Sequence, residues 1–197
     1  MTMKKILLAS AAAVSIAGGA YAATTNIDAL ATFVAAVTLG NEVDMDFSSV
    51  AFSAAPTVAG DNVQLGTDGS IAYNGVFSVG ISATPAAGEV EITAGSVGAV
   101  VDIECDTTAT MGDGGGESIN VINIEVATTP GAFGTGTACA GIGTPIAGGG
   151  YTLLGGGADV LYFGGQIDGA SASGGFGAGT YSSATGGDDI QVDVNYQ

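Results

Sequence analysis

The sequence predicts an all-β fold, an antiparallel β-sandwich that forms a single domain behind a signal peptide. Three observations support this prediction. From Leu30 onward, short apolar or alternating runs are separated by Gly, Asp, Asn, Pro and Thr, which is the pattern of a sandwich or barrel. No convincing amphipathic helix competes with these runs. The final segment DDIQVDVNYQ alternates polar and apolar side chains, as a half-buried strand does.

Residues 1–22 have the three parts of a secretory signal peptide. Lys4 and Lys5 form the basic start, residues 6–18 form the apolar stretch, and Ala20-Tyr21-Ala22 is a small-x-small cleavage site. A membrane anchor is the alternative, but the stretch is shorter than the roughly 20 apolar residues that a span needs. We therefore expect a mature chain of 197 − 22 = 175 residues without a membrane span. This length fits one domain.

The charge balance restricts the partners of the mature chain. Lys4 and Lys5 are the only basic residues, whereas the sequence holds 19 Asp and Glu. Such a chain repels nucleic acid and anionic lipid, so we predict no nucleic-acid partner. The hydrophobic share of 47% and its strand-like pattern nevertheless predict a buried core, not a disordered acidic tail.

The missing residue types also restrict the chemistry. Beyond residue 5 there is no His, Lys or Arg, which excludes Ser-His and Cys-His pairs, a Schiff-base lysine and a guanidinium clamp. Paired carboxylates could still serve a glycosidase, but the chain has no Trp to form a sugar platform. We therefore predict that the protein is not an enzyme, and we assign no catalytic residue.

Along the chain, the pattern predicts nine strands. They lie at residues 30–39, 42–52, 70–83, 89–93, 99–105, 118–127, 150–154, 159–167 and 189–196. The first of these also permits a short helix capped by Asn26, because the segment is rich in Ala. We divide the mature chain into an N-terminal extension or first strand at 23–40, a candidate donor strand, and a sandwich domain at 41–197. The glycine-rich stretches of the second half predict loops and bulges.

The two cysteines predict one disulfide. Cys105 lies on the same side of its strand as the apolar Val101 and Ile103, and Cys139 lies in a glycine-rich segment. In an exported protein an even pair is most simply a disulfide, worth about 3 to 4 kcal/mol on the chain-entropy model. A zinc site would need more ligands than two thiols, and a pair of buried free thiols is the remaining alternative.

Carboxylates cluster on two predicted strands. Asp102, Glu104 and Asp106 share one face of the first, and Glu89 and Glu91 share one face of the second. If these strands are neighbours, like charges face each other, which destabilises a sheet unless salt or a cation screens them.

Two loops, at 113–117 and 187–189, add further carboxylates. Oxygen ligands of this kind suit calcium, but neither loop matches an EF-hand and no GGxGxD repeat is present. We predict no cofactor and interpret the acidic residues as a solvated surface, with calcium as the alternative.

Two stretches near the ends of the mature chain resemble a known family. FVAAVTLGNEVDMDFSSV and GTYSSATGGDDIQVDVNYQ are similar to a family of secreted bacterial β-sandwich domains known as domain of unknown function 4402. The family's Leu-Asp-Phe-Gly segment corresponds to residues 45–48, where Ser48 replaces the glycine, and its Gly-x-Tyr-Ser segment corresponds to residues 179–182. An insertion at 184–188 then precedes the last strand.

The last strand also resembles the end of chaperone-usher pilus subunits, which close on an alternating strand with a penultimate Tyr. This resemblance implies an immunoglobulin-like or pilin-like sandwich that lacks one strand, and a neighbouring subunit whose N-terminal extension fills the gap. The implied assembly strands carry Ile27, Ala29, Ala31 and Phe33 in the donor, and Ile190, Val192, Val194 and Tyr196 in the acceptor.

The expected function is therefore a structural subunit of a bacterial surface fibre or pilus, polymerised by strand exchange between copies. The resemblance implies export through the inner membrane of a Gram-negative bacterium, with a periplasmic chaperone and an outer-membrane assembly protein as partners. The alternative is a self-contained exported sandwich domain of a surface layer, matrix or adhesin. A hydrolase and a cation-dependent lectin are further alternatives.

Overall fold

The computed structural model of the chain describes residues 35–81, 84–155 and 158–197. The predicted signal peptide and the donor residues Ile27, Ala29, Ala31 and Phe33 lie outside these ranges. Val34–Gln197 form one packing unit. Almost all of its regular structure is β, in several antiparallel sheets, so the predicted all-β sandwich is confirmed.

The described residues contain thirteen strands and one short helix in chain order. They are β1 (Thr38–Val43), β2 (Val50–Phe52), β3 (Asn62–Leu65), β4 (Ile71–Tyr73), β5 (Phe77–Val79), β6 (Gly88–Ala94), β7 (Val100–Cys105), β8 (Ala109–Gly112), β9 (Ser118–Ala127), β10 (Thr137–Ala138), β11 (Tyr151–Thr152), β12 (Val160–Ser173), α1 (Ser183–Gly186) and β13 (Val192–Tyr196).

The largest sheet has eight strands and is built around the long strand β12. One edge of β12 pairs with β9, and the other edge pairs first with β6 and then with β3. The sheet continues outward through β1 on β6, through β4 on β3, and through β8 and β10 on β9. All of these pairings are antiparallel, so the sheet needs no helical crossover.

Two smaller sheets complete the fold. One has the order β11-β7-β13, and the other is the β2-β5 pair. The disulfide predicted between Cys105 and Cys139 is present, with an S–S distance of 1.99 Å. It joins the end of β7 to the residue after β10, and therefore ties the three-stranded sheet to the eight-stranded sheet.

The core comes from strand residues that alternate along the chain. On β7, Val101, Ile103 and Cys105 are buried, as their alternation predicts. They belong to one apolar cluster whose buried members are Phe47, Val63, Leu65, Phe77, Ile92, Val101, Ile103, Cys105, Ala109, Ile119, Val121, Ile124, Val126, Cys139, Leu153, Leu161, Phe163 and Ile167. The core is continuous across all three sheets.

The start of the described chain differs from the prediction. Residues 30–34 of the predicted strand at 30–39 lie outside the described residues. In the described part, the edge strand β1 spans Thr38–Val43, and only Val50–Phe52 of the predicted strand at 42–52 follows as a second strand. Residues 35–37 are not helical. Between the two strands Ser48 has a φ of 60°, which extended backbone does not allow. Because β1 crosses residue 40, the sandwich begins before the predicted boundary at residue 41.

The predicted strand at 70–83 is also divided. Its described part consists of β4 and β5, separated by a turn at Asn74–Gly75. Gly75 has a φ of 65°, and a Cβ there would lie 2.2 Å from Oδ1 of Asp61. Asn-Gly is a strong turn signal, so this break was readable from the sequence.

Three strands were not predicted. β3 and β8 have four residues each and β10 has two, so each presents too few alternating residues for a pattern to be recognised. By contrast, the predicted strands at 89–93, 99–105, 118–127 and 189–196 correspond to β6, β7, β9 and β13. The strand at 159–167 is confirmed and continues to Ser173.

Candidate functional site: a groove beside the last strand

A groove of about 1070 Å³ opens into the apolar core beside the start of β13. The eight-stranded sheet contributes the largest apolar part of its lining, including Ile119, Val121, Phe163 and Ile167. These four side chains are buried at 6% exposure or less. They line the groove although other groups cover nearly all of their surface, so the groove reaches down to the core.

The two smaller sheets form the sides of the same groove. Val50, Phe52 and Phe77 line it from the β2-β5 pair, and Ile190 and Val192 line it at β13. The groove therefore lies between the two smaller sheets.

The backbone of β13 pairs with β7 on one side. The amide of Asp106 donates to the carbonyl of Gln191 at 3.1 Å, and the amide of Gln197 donates to the carbonyl of Val100 at 3.2 Å. In an antiparallel pair, hydrogen-bonded and non-hydrogen-bonded residue pairs alternate. The odd-numbered residues of β13 are therefore the ones that bond to β7.

The even-numbered residues of β13 direct their backbone groups to the opposite edge. Val192 faces Cys105, Val194 faces Ile103 and Tyr196 faces Val101 in the non-bonded pairs. Within residues 35–81, 84–155 and 158–197, no strand pairs with that edge. An open edge presents a row of amides and carbonyls, which is a template for adding another strand.

The side chains of β13 lie as the alternation predicts. Ile190, Val192, Val194 and Tyr196 pack against the core, while Gln191, Asn195 and Gln197 are exposed. The apolar row and the unpaired backbone groups therefore belong to the same residues. The predicted acceptor residues are together in the structure, and the predicted donor residues lie outside its described part.

Tyr196 also connects the end of β13 to the start of the described chain. Its hydroxyl donates to the carbonyl of Ala35 at 2.5 Å and accepts from the amide of Ser96 at 2.8 Å. The amide of Ala35 donates to Oγ of Ser96 at 2.8 Å. Ala35, the first described residue, therefore lies beside the last residue of β13.

An aromatic cluster lines another part of the groove. The rings of Phe176 and Tyr181 stack with centroids 4.6 Å apart, and Phe52 lies 5.6 Å from Phe176. The Tyr181 hydroxyl donates a hydrogen bond to Glu117. Burial, followed by the bond to this carboxylate, raises the pKa of Tyr181. The hydroxyl is therefore neutral at physiological pH, and its hydrogen bond fixes the ring against the groove.

The two segments that carry the family resemblance both line this groove. Residues 45–48 and 179–182 are all among its lining residues. Ser48 has a φ of 60°, which lies in the left-handed region that glycine favours. The insertion at 184–188 lies along β8, where Ser182 and Asp188 form bridges to Gly112 and Thr110.

Carboxylates surround the apolar lining. They are Glu42, Asp44, Asp46, Glu89 and Asp189. Among the described residues no basic side chain balances them, because Lys4 and Lys5, the only two in the sequence, lie outside the described ranges. The groove therefore combines an apolar interior with an acidic rim.

The acidic strands and loops have a different arrangement from the one considered in the sequence. β6 and β7 belong to different sheets, so Glu89 and Glu91 do not face the β7 carboxylates. Instead, Asp193 of β13 lies opposite Glu104. Among the described residues, no group of three or more Asp, Glu, Cys or His is placed to hold a metal ion.

The carboxylate of Asp113 is used within its own loop. It accepts the amides of Gly115 at 2.7 Å and Glu117 at 2.9 Å. The bond from Gly115 is the main cause that lowers the pKa of Asp113. This carboxylate stabilises the turn between β8 and β9.

Sequence reasoning missed the walls of the groove apart from β13. Phe52, Phe77 and the Phe176–Tyr181 segment lie far apart in the chain, and no local period relates them. The motif segments at 45–48 and 179–182 were the available signal, because both were singled out by resemblance and both line the groove.

Comparison with known proteins identified no relative: no family model, no curated protein and no solved structure matches the chain. In the ranges that the structure describes, no helix is long and apolar enough to cross a membrane.

Proposed function

We propose that this protein is a non-catalytic structural subunit of a bacterial surface fibre, assembled by β-strand addition. The observation that supports the proposal is the groove itself. The partly buried lining residues Phe52, Ile190 and Val192 lie at the groove next to the unpaired edge of β13, so one added strand would bury more of their apolar surface and satisfy backbone groups together. The site is an acceptor for a peptide strand.

The donor that we propose is residues 23–33 of another copy. Residues 27–33 place Ile27, Ala29, Ala31 and Phe33 on one face of an extended strand. This segment has as many residues as the acceptor run 190–196, so the two match in length. Small side chains between two larger ones suit insertion between the walls of a narrow groove.

The charge of this donor is also compatible with the acidic rim. Asp28 is the only ionised side chain in residues 23–33. Because side chains alternate along a strand, Asp28 points away from the apolar row of Ile27, Ala29, Ala31 and Phe33. Insertion therefore brings no carboxylate into the groove, where it would meet carboxylates and no cation.

In this assembly each subunit gives a strand to one neighbour and receives one from another. A head-to-tail contact of this kind generates an open filament unless the rotation closes a ring. We propose export through the inner membrane, protection of the open groove by a periplasmic chaperone, and polymerisation at an outer-membrane assembly protein of a Gram-negative bacterium. The open apolar groove is an aggregation hazard before the donor arrives, which is why a chaperone is expected.

Deletion of residues 23–33 from the mature chain tests the proposal. The truncated chain should stay monomeric and have a lower free energy of unfolding than chains joined in a polymer. A synthetic peptide of residues 23–33 should bind to it and raise its melting temperature. A peptide carrying Ala29→Asp should bind at least tenfold more weakly, because it places a charge among apolar side chains. Asp28→Asn is the matched control and should bind as well as the natural peptide.

The contrary result has a definite meaning. If the truncated chain is a monomer as stable as the full mature chain, and the full chain forms no filament, strand addition does not occur. The protein would then be a self-contained exported domain of a surface layer, matrix or adhesin.

A further inference from the structure

We infer that Met45 and Met111 are oxidation sites inside the groove, and that their conversion to methionine sulfoxide by hydrogen peroxide prevents strand addition. The second half of this inference rests on the proposed function. The oxidation itself does not, because it concerns only the two side chains and the groove that they line. The groove accepts a strand while both side chains are thioethers and refuses it once they are oxidised.

The mature chain offers few side chains to a mild oxidant. The sequence has four Met, of which two belong to the predicted signal peptide, and it has no Trp and no His. Its two Cys are joined to each other in the disulfide. Met45 and Met111 are therefore the side chains of the mature chain that a two-electron oxidant attacks most readily.

Both methionines lie at the groove although they come from distant parts of the chain. Met45 lies between β1 and β2, and Met111 lies on β8 opposite Ile119 of β9. Each methionine is partly buried against the core, and each lines the groove. A groove of about 1070 Å³ admits water and molecules of similar size. Hydrogen peroxide therefore reaches both side chains without unfolding of the domain.

The side chain of Met45 crosses the apolar lining that the eight-stranded sheet contributes. A Cβ on Gly165 of β12 would lie 3.6 Å from Cε of Met45 and 2.9 Å from Cγ1 of Val121. A Cβ on Gly88 of β6 would lie 3.2 Å from Cβ of Phe163 and 3.4 Å from Cβ of Met45. The thioether of Met45 is therefore part of the surface on which an added strand would pack.

Oxidation adds one polar atom to this apolar surface. The sulfur lone pair attacks one oxygen of hydrogen peroxide, and the O–O bond breaks. That oxygen stays on the sulfur, and the other oxygen leaves as water with both protons. The sulfur is oxidised and the peroxide is reduced, so no further reactant is needed. The product carries a strong hydrogen-bond acceptor where the thioether was a weak one.

The cost of the new acceptor arises when a strand fills the groove. In the open groove, water donates a hydrogen bond to the sulfoxide oxygen. Strand addition expels that water, and the rim residues Glu42, Asp44 and Asp46 accept hydrogen bonds but donate none while they are ionised. A polar atom that is buried without a partner weakens binding. Oxidation should therefore lower the affinity for a strand and leave the domain folded.

Peroxide treatment of the monomeric fraction of the full mature chain tests this inference. Peptide mass spectrometry after cleavage at Asp and Glu would locate the added oxygen, and a labelled peptide of residues 23–33 would measure the groove. Both methionines should be oxidised in the folded chain at a rate within about tenfold of the rate in urea. The affinity for the peptide should then fall at least tenfold, and methionine sulfoxide reductases should restore it.

The double variant Met45→Leu, Met111→Leu is the matched control, because Leu has a similar apolar volume and no sulfur. It should bind the peptide equally well before and after treatment with peroxide. Unoxidised wild type that is incubated with the reductases and their thiol controls for any effect of the thiol on the disulfide.

Every other outcome overturns a stated claim. If the methionines are oxidised only in urea, the groove does not admit the oxidant and the inference is wrong. If they are oxidised and the peptide affinity does not change, their control of strand addition is refuted. If the untreated chain captures no peptide, the proposed function fails and that control fails with it, while the mass spectra still decide the oxidation sites. Should the double variant not fold, bound peptide should protect both methionines of wild type from peroxide, and equal oxidation with and without peptide would refute the inference.

Discussion

At the scale of single residues, the buried carboxylates of this sandwich, Asp61, Glu125 and Asp159, accept backbone amides and a hydroxyl and make no ion pairs. Asp159 is 1% exposed. Its carboxylate accepts the hydroxyl of Tyr151 at 2.6 Å and the amides of Leu154 and Gly155. Burial acts to raise the pKa of Asp159, but these hydrogen bonds outweigh it and the net pKa is lowered. A chain without cations can therefore bury a carboxylate.

The hydrogen bond between Tyr151 and Asp159 also makes the stability of the protein fall at alkaline pH. Burial, followed by the bond to Asp159, raises the pKa of Tyr151 from 10.0 to about 12. Since the folded pKa exceeds the unfolded value, this contribution to stability is complete below pH 10 and is lost as pH rises toward 12. We predict that the free energy of unfolding falls across that window, and that Tyr151→Phe removes much of the fall. Urea unfolding at a series of pH values measures it.

At neutral pH the same substitution should destabilise the protein by about 1.5 to 3 kcal/mol, since it removes a hydrogen bond to a buried charge. Tyr162→Phe is the matched control, because no other described residue makes a hydrogen bond with the Tyr162 hydroxyl. An unchanged alkaline slope in Tyr151→Phe would show that other tyrosines dominate the titration.

At the scale of elements, odd-numbered and even-numbered residues of β13 direct their amides and carbonyls to opposite edges of the strand. Residues with odd numbers bond to β7, and those with even numbers direct their amides and carbonyls to the unpaired edge, where Ile190 and Val192 line the groove. A proline has no amide and is tolerated in an edge strand where the amide faces outward. The two sides of one strand can therefore be tested independently.

We predict that Val192→Pro leaves the domain folded but prevents strand addition. Its missing amide points to the groove, where a donor strand would accept it, and each lost hydrogen bond costs about 1 kcal/mol. Binding of the peptide 23–33 should weaken several-fold or more. Asp193→Pro, one residue away, is the control: it removes an amide that bonds to β7, so it should lower the melting temperature. Equal peptide binding by wild type and Val192→Pro would count against β13 as the acceptor edge.

The predictability of each element follows its length and period. β7, β9 and β13 each carry enough alternating residues to be read from the sequence, and their burial follows that alternation. β8 and β10 are strands because they pair with β9. This pairing is a tertiary contact, so the local sequence pattern does not predict it. The β13 side of the candidate site was predictable for the same reason. Ile190 and Val192 belong to a periodic strand, whereas Phe52, Phe176 and Tyr181 meet only through the fold.

At the scale of the whole molecule, net charge is the dominant feature. The formal net charge is −17 with the signal peptide included. Removal of Lys4 and Lys5 would make the mature chain more acidic by two charges. Repulsion of this size opposes the compact state and also opposes contact between copies, and salt screens both. Assembly and folding should therefore respond to ionic strength in the same direction.

We predict that stability depends on ionic strength in general and not on calcium in particular. Asp193 faces Glu104 across the β7-β13 ladder, and like charges in that position destabilise a sheet. Their repulsion should weaken as the Debye length falls to about 10 Å near 0.1 M salt. Melting temperatures in sodium chloride and calcium chloride at matched ionic strength should then agree.

Asp193→Asn should raise the melting temperature, and the increase should be largest at low salt. This variant should also reduce the salt dependence of the melting temperature more than the control Asp44→Asn does, because Asp44 is exposed and outside every strand. A large additional rise at micromolar calcium would instead demonstrate a specific cation site, and the acidic rim of the groove would be the first place to locate it.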